Sequence, residues 1–176
     1  MKRVLMIALS LALMITFVSC DKKNTSSDVD GIDVEYYAKI GKIPECEYRI
    51  GSNAEEILSK LKAENGEESS YYGEMESGDY KVITTSGFNY FYKKDTVCYI
   101  VDYDVAYGYD IGTISIEIKK DMSARGFETS ERDLTEDEKS FIMGAMNCTC
   151  FEYTFDKNTV LFVFQDNALC ATVLHN

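Results

Sequence analysis

The sequence has a single histidine, His175, next to the last residue. Ser–His and Cys–His nucleophiles need an imidazole held firmly beside them. A penultimate residue on a fraying terminus is a poor place to hold one. Basic residues are also few: 18 Lys and Arg stand against 30 Asp and Glu, for a net charge of −12. With no basic cluster the chain cannot displace counterions from phosphates, which argues against nucleic acid as a partner. The same deficit argues against binding to anionic lipid headgroups. There is no glycine-rich phosphate loop, and Cys148-Thr149-Cys150 has neither the CxxC spacing of a thioredoxin-like site nor the ligands of a zinc knuckle. No cofactor or metal is implied. An Asp28–Asp33 stretch superficially suggests a calcium loop, but Ile32 stands where an oxygen ligand is needed and Asp33 where a glycine is needed.

The first residues carry the clearest signal. Lys2 and Arg3 precede an apolar run from Val4 to Val18, and polar sequence follows Cys20 at once. A run of about 15 residues is short for a membrane span and suits a signal-peptide core. Phe17 is bulky where ordinary signal peptidase wants a small residue. Phe17-Val18-Ser19-Cys20 instead resembles the lipobox of bacterial lipoproteins, with Phe17 in place of the usual leucine. The resemblance implies cleavage after residue 19 and lipidation of Cys20. The membrane is then a partner through the acyl anchor, and the protein sits on the extracytoplasmic face. Each buried methylene adds about 0.8 kcal/mol to such an anchor. Losing Lys2 and Arg3 with the leader takes the net charge from −12 to −14. Residues 20–33 then read as the lipidated cysteine and a polar tether. Cys46, Cys98, Cys148, Cys150 and Cys170 are odd in number, so they cannot all pair within one chain, and they read better as thiols.

The folded region reads as α+β in two tandem repeats, residues 34–110 with a leading strand and 111–176, with helices on one face of the sheet. Ile50-Gly51-Ser52 matches Ile111-Gly112-Thr113, each opening a helix, with Ser52 and Thr113 as N-caps and Glu55 completing a capping box. Gly66 and Gly126 close those helices. Phe88 to Val101 lines up without gaps on Phe151 to Phe164, which predicts equivalent buried places for Phe88/Phe151, Tyr90/Tyr153 and Tyr92/Phe155. Thr135-Glu136-Asp137-Glu138 is a capping box for a further helix running to about Asn147, whereas Glu67 to Asp79 reads as a loop before a strand at Tyr80–Thr85. Alternation puts Phe91, Cys98 and Ile100 on the opposite face, with Cys150, Leu161 and Val163. An apolar second face needs a cover or a ligand.

A helix opened by glycine and a small hydroxyl residue, then a three-strand meander, given twice, resembles β-lactamase inhibitor protein. One unit resembles the small lipoprotein of the outer-membrane barrel assembly machine. The resemblance spans about Ile50 to Leu174 and implies binding to a protein partner through the sheet, without catalysis. The candidate contact site is the segment joining the repeats, where Tyr103, Tyr107 and Tyr109 stand among Asp102, Asp104 and Asp110. Tyrosine gives large contact area at low entropy cost. As an interface, at least two of these rings should be exposed; as packing between repeats, all three should be buried. The alternative to a binding module is an envelope hydrolase acting on cell-wall glycan or peptide through paired carboxylates, drawn from Asp102, Asp104, Asp110 and Glu117.

Overall fold

The computed structural model describes residues 32–67, 69–104, 106–142 and 147–176. The leader, Cys20 and nearly all of the tether lie outside these residues. The first element is a helix, α1 (Val34–Lys39), and not the leading strand expected: the Asp33 carboxylate accepts the Tyr36 N–H at 2.9 Å, and Val34 and Ala38, four apart, are buried. α2 (Ala54–Asn65) buries Ala54, Ile57 and Leu61 along one side and stops at Gly66, whose φ of +85° suits a residue without Cβ. α3 (Ser115–Ala124) buries Ile118 and Met122. The caps lie one residue later than expected. Asn53 caps α2 by accepting the Glu56 N–H at 3.0 Å, while its counterpart in α3 is Ile114, which has no side chain to do so. The Ser52 hydroxyl accepts from the Arg49 N–H, and the Thr113 hydroxyl donates to the Asp110 carbonyl.

Among the described residues eight strands form one antiparallel sheet: β1 (Tyr72–Ser77), β2 (Tyr80–Thr85), β3 (Phe88–Lys93), β4 (Thr96–Asp102), β5 (Ser130–Asp133), β6 (Cys148–Phe155), β7 (Asn158–Gln165) and β8 (Ala168–His175). Their order is β1-β2-β3-β4-β8-β7-β6-β5, so two meanders meet at a β4–β8 joint of four residue pairs. β1 falls within the stretch expected to be a loop. His175 is not frayed: it pairs with both Tyr99 and Thr159.

All six residues of the expected register line the helix-side core, Phe88 only partly buried, but their strands do not hold the same places in the sheet. β3 lies third from its edge and β6 second from the other, so the strand in β3's place is β7. The hydrogen bonds agree. Gly51 N–H donates to Val97 O and Val97 N–H to Ser52 O, at 2.8 and 3.0 Å; Gly112 N–H donates to Leu169 O and Leu169 N–H to Thr113 O, both at 2.8 Å. The β3–β4 turn is left-handed at Lys94 and Asp95, the β7–β8 turn at Asp166 and Asn167. Both hairpins carry a bulge, between Phe91 and Tyr92 and between Val163 and Phe164, where Cys98 and Cys170 are the extra residues. Cys98 and Cys170, 72 positions apart, thus hold corresponding bulge places in the sheet, which Phe88 and Phe151 do not.

The bulge also corrects the face assignment. A residue inserted at Cys98 reverses the alternation beyond it, so Ile100 joins the helix-side core while Tyr99 and Val101 turn to the other side. The helix-side core holds Ile57, Leu61, Ile118 and Met122 against Tyr90, Tyr92, Phe162 and Phe164. On the second face Val82, Phe91, Leu161, Val163 and Val173 are buried with Leu134, Phe141 and Ile142. Phe141 ends α4 (Glu136–Phe141), so the helices occupy both faces of the sheet and not one. The expected capping box opens α4, but the helix stops at Phe141; residues 143–146 lie outside those described.

Candidate functional site

The segment joining the halves is a plug in the core. Tyr107 is 0% and Tyr109 5% exposed. The Tyr107 hydroxyl donates to Lys42 O at 2.9 Å, and its ring meets Phe162 edge-on at 6.1 Å. Tyr109 also meets Phe162 edge-on, and its hydroxyl bonds the Asp121 carboxylate. Ala106 and Tyr109 close a tight turn through Tyr107 and Gly108, both at positive φ. Tyr103 is half-buried against the second core and donates to Phe141 O at 2.9 Å. The expectation that these tyrosines form a contact surface is therefore corrected for Tyr107 and Tyr109: they anchor the joining segment over the helix-side face of β7. The aspartates separate. Asp104 and Asp110 are exposed, but Asp102 is the last residue of a central strand and is 1% exposed. One Asp102 carboxylate oxygen accepts the Asp104 N–H at 2.9 Å, and the other is buried without a partner. Burial pushes this carboxyl up to about 6 against the opposing effect of that backbone bond.

The other titratable groups take structural roles. Arg132 on β5 forks onto Glu138 of α4 with two bonds of 2.7 Å and reaches Glu152 of β6 at 2.6 Å. Burial opposes ionisation of Glu138, but Arg132 and the Thr135 N–H outweigh it and hold the carboxyl below its usual value. Burial lowers the pKa of His175, whose ring lies 5.3 Å from that of Tyr99. The five cysteines after Cys20 are free thiols. Burial raises Cys150 to about 11, and burial with the neighbouring Cys148 raises Cys170 to about 12. Such thiols are poor nucleophiles at neutral pH. Among the described residues no group of three or more His, Cys, Asp or Glu is placed to hold a metal ion.

The accessible feature is the β1–β2 hairpin, which sequence reasoning missed. The four central residues of β1, Gly73, Glu74, Met75 and Glu76, are all exposed, in a sheet whose inner strands are buried on both faces. Met75 is 58% and Tyr71 69% exposed, and both line a shallow open groove with Gly73, Thr84 and Ser86. Glu-rich composition hid the strand. The signal that could have found it is Ser77-Gly78-Asp79-Tyr80: Gly78 at φ +58° is the first residue of a two-residue hairpin turn.

The chain matches no family model, no curated protein and no solved structure.

Proposed function

We propose that this chain is a lipid-anchored binding module of the cell envelope. Acyl chains on Cys20 hold it at the extracytoplasmic face, and it contacts a protein partner through the exposed β1–β2 hairpin, without catalysis. The observation that carries the reading is the exposure of β1. A strand that buries nearly none of its central side chains adds little to either core, yet it is in continuous register with β2 over six residue pairs. The acyl anchor rests on the Phe17-Val18-Ser19-Cys20 stretch.

The module reads as two tandem units, residues 34–110 and 111–176. Supporting this are the matched Gly51/Gly112 hydrogen bonds, the paired turns and the bulges at Cys98 and Cys170. The units differ between the helix and the last two strands: β1 turns directly into β2, whereas α4 intervenes between β5 and β6.

Two measurements test the reading. Metabolic labelling with an alkyne fatty acid should mark the wild-type chain and leave Cys20→Ala unmarked and released from the membrane; equal labelling refutes the anchor. In cross-linked envelope preparations, Tyr71→Ser with Met75→Asp should lose a partner that the wild type retains, with the melting curve unchanged because both side chains are exposed. Unchanged capture refutes the hairpin as the contact.

A further inference from the structure

The hairpin geometry fixes which backbone groups of β1 are free. A two-residue turn closes on a hydrogen-bonded pair, here Ser77 with Tyr80, and bonded pairs then alternate along the ladder. Met75 with Val82 and Gly73 with Thr84 are therefore bonded pairs. The N–H and C=O groups of Tyr72, Glu74 and Glu76 point the other way, out of the sheet. Among the described residues only β2 pairs with β1.

Natural edges are usually blunted by charged side chains, above all lysine, by proline, a bulge or shortness. β1 has six residues, no register shift, no proline and no lysine, and its charges are two carboxylates, Glu74 and Glu76, which repel an acidic strand and leave the edge open to a basic one. The opposite edge, β5, is protected. It has four residues, and its Arg132 is tied to Glu138 and Glu152. Gly73 adds a second, independent observation. It sits inside β1 at an ordinary φ, and a Cβ built there would meet nothing within 4 Å, so neither conformation nor packing within the chain requires glycine. A strand glycine that the fold does not need marks a place where another chain can approach closely.

We infer that the outer edge of β1 takes up one extended segment of a partner protein as a ninth, antiparallel strand. In it, basic residues stand opposite Glu74 and Glu76, and bulky apolar residues stand opposite Gly73 and Met75. The inference rests on the binding reading above. Side chains alternate between faces, so Tyr72, Glu74 and Glu76 share one face and Gly73, Met75 and Ser77 the other. Tyr72 packs on the helix-side core, while Ser77 donates to Ser140 O of α4 on the other side. An incoming strand thus meets two carboxylates on one face, Glu76 and Glu74, of which Glu74 also accepts from the Tyr92 hydroxyl, and a glycine gap beside an exposed methionine on the other. Charge decides against a second copy of this chain. Antiparallel self-pairing centred on Met75 sets Glu74 of each copy opposite Glu76 of the other, and like charges directly opposite are destabilising. The net charge of −12 adds to that repulsion and favours a basic strand.

The test uses the full chain in detergent micelles and a labelled peptide of about eight residues alternating lysine and valine, long enough for one strand. Fluorescence anisotropy should show it binding at least about tenfold more tightly than two controls. One has the same composition in separate lysine and valine blocks; the other is N-methylated at alternate residues and so lacks the donors. Glu76→Pro removes an outward N–H while sparing the ladder to β2, so it should weaken binding by about tenfold or more with the melting curve unchanged. If that variant misfolds, the N-methylated comparison on the wild type decides alone. Absent binding, equal binding by the block peptide, or an unaffected Glu76→Pro overturns the inference. So does reversible dimerisation that Glu76→Pro abolishes, because the occupant is then a second copy. Envelope capture that survives Glu76→Pro but fails in Tyr71→Ser with Met75→Asp sinks strand addition and leaves the binding reading standing.

Discussion

Asp102 has a carboxyl inside the middle of the sheet with one oxygen unpartnered, and its pKa rises from 3.8 to about 6. The folded chain therefore holds this proton more tightly than the unfolded chain does. Between about pH 4 and 6 the native state binds more protons, so stability falls as pH rises through that window and the deficit remains above it. The full difference at neutral pH is up to about 3 kcal/mol. Asp102→Asn should abolish that slope and unfold at higher denaturant at pH 7 than the wild type; a parallel pH profile for the two proteins would refute this. Glu138 acts with the opposite sign. Its depressed carboxyl contributes stability above its unfolded value, and that is lost on acidification. His175, lowered by burial, acts in the same sense as Glu138 and opposes Asp102, so its stability contribution is also lost on acidification. Tyr107 tests packing in place of charge. Tyr107→Ala should cost about 3–5 kcal/mol and Tyr107→Phe about 1 kcal/mol, the worth of its bond to Lys42 O, both read from urea midpoints. Similar costs for the two would mean the ring contributes nothing.

At the scale of elements, the starts of α2 and α3 can be compared directly. Asn53 caps α2 and its counterpart Ile114 leaves α3 without a side-chain cap, although both positions bond their neighbouring strand in the same way. Ile114 is 46% exposed, so Ile114→Asn removes little buried surface and supplies the missing acceptor. It should raise stability by about 1 kcal/mol, seen as a higher melting temperature; a lower one would show that Ile114 packs in a way the cap cannot replace. These elements also show what the sequence could reveal. The α4 capping box was legible because its signal is local, two side chains three residues apart. The helix stop at Gly66 and the span of β2 were legible for the same reason. Exact caps were missed by one residue because Ser52 and Asn53 are equally good acceptors. The bulges were illegible: nothing in Val97-Cys98-Tyr99 marks an extra residue, and one insertion reverses every side chain after it. That single shift misplaced Ile100 and Val101. β1 was illegible because strand composition reflects burial, and this strand is hardly buried. For the candidate site, Tyr107 and Tyr109 were real features with the opposite role, since a buried ring and an interface ring have the same sequence signature.

For the whole molecule, the β4–β8 joint brings the two meanders into one sheet. Ile100 faces Leu174 and Val101 faces Val173 across it, all four fully buried and divided between the two cores. Leu174→Ala should lower stability by about 2–5 kcal/mol. Tyrosine fluorescence and far-ultraviolet dichroism should also keep a common midpoint, because both halves lean on the same joint; split midpoints would show halves that unfold separately. That joint has a further consequence for the order of events. β8 is the last strand in chain order and yet lies in the middle of the sheet. A chain that folds as it is made, from its N-terminus, forms β1 to β4 first, then β5 to β7, and leaves both groups with open inner borders. Neither border can close until the final strand emerges between them. Completion of the sheet therefore waits on β8, in whatever order the earlier strands pair.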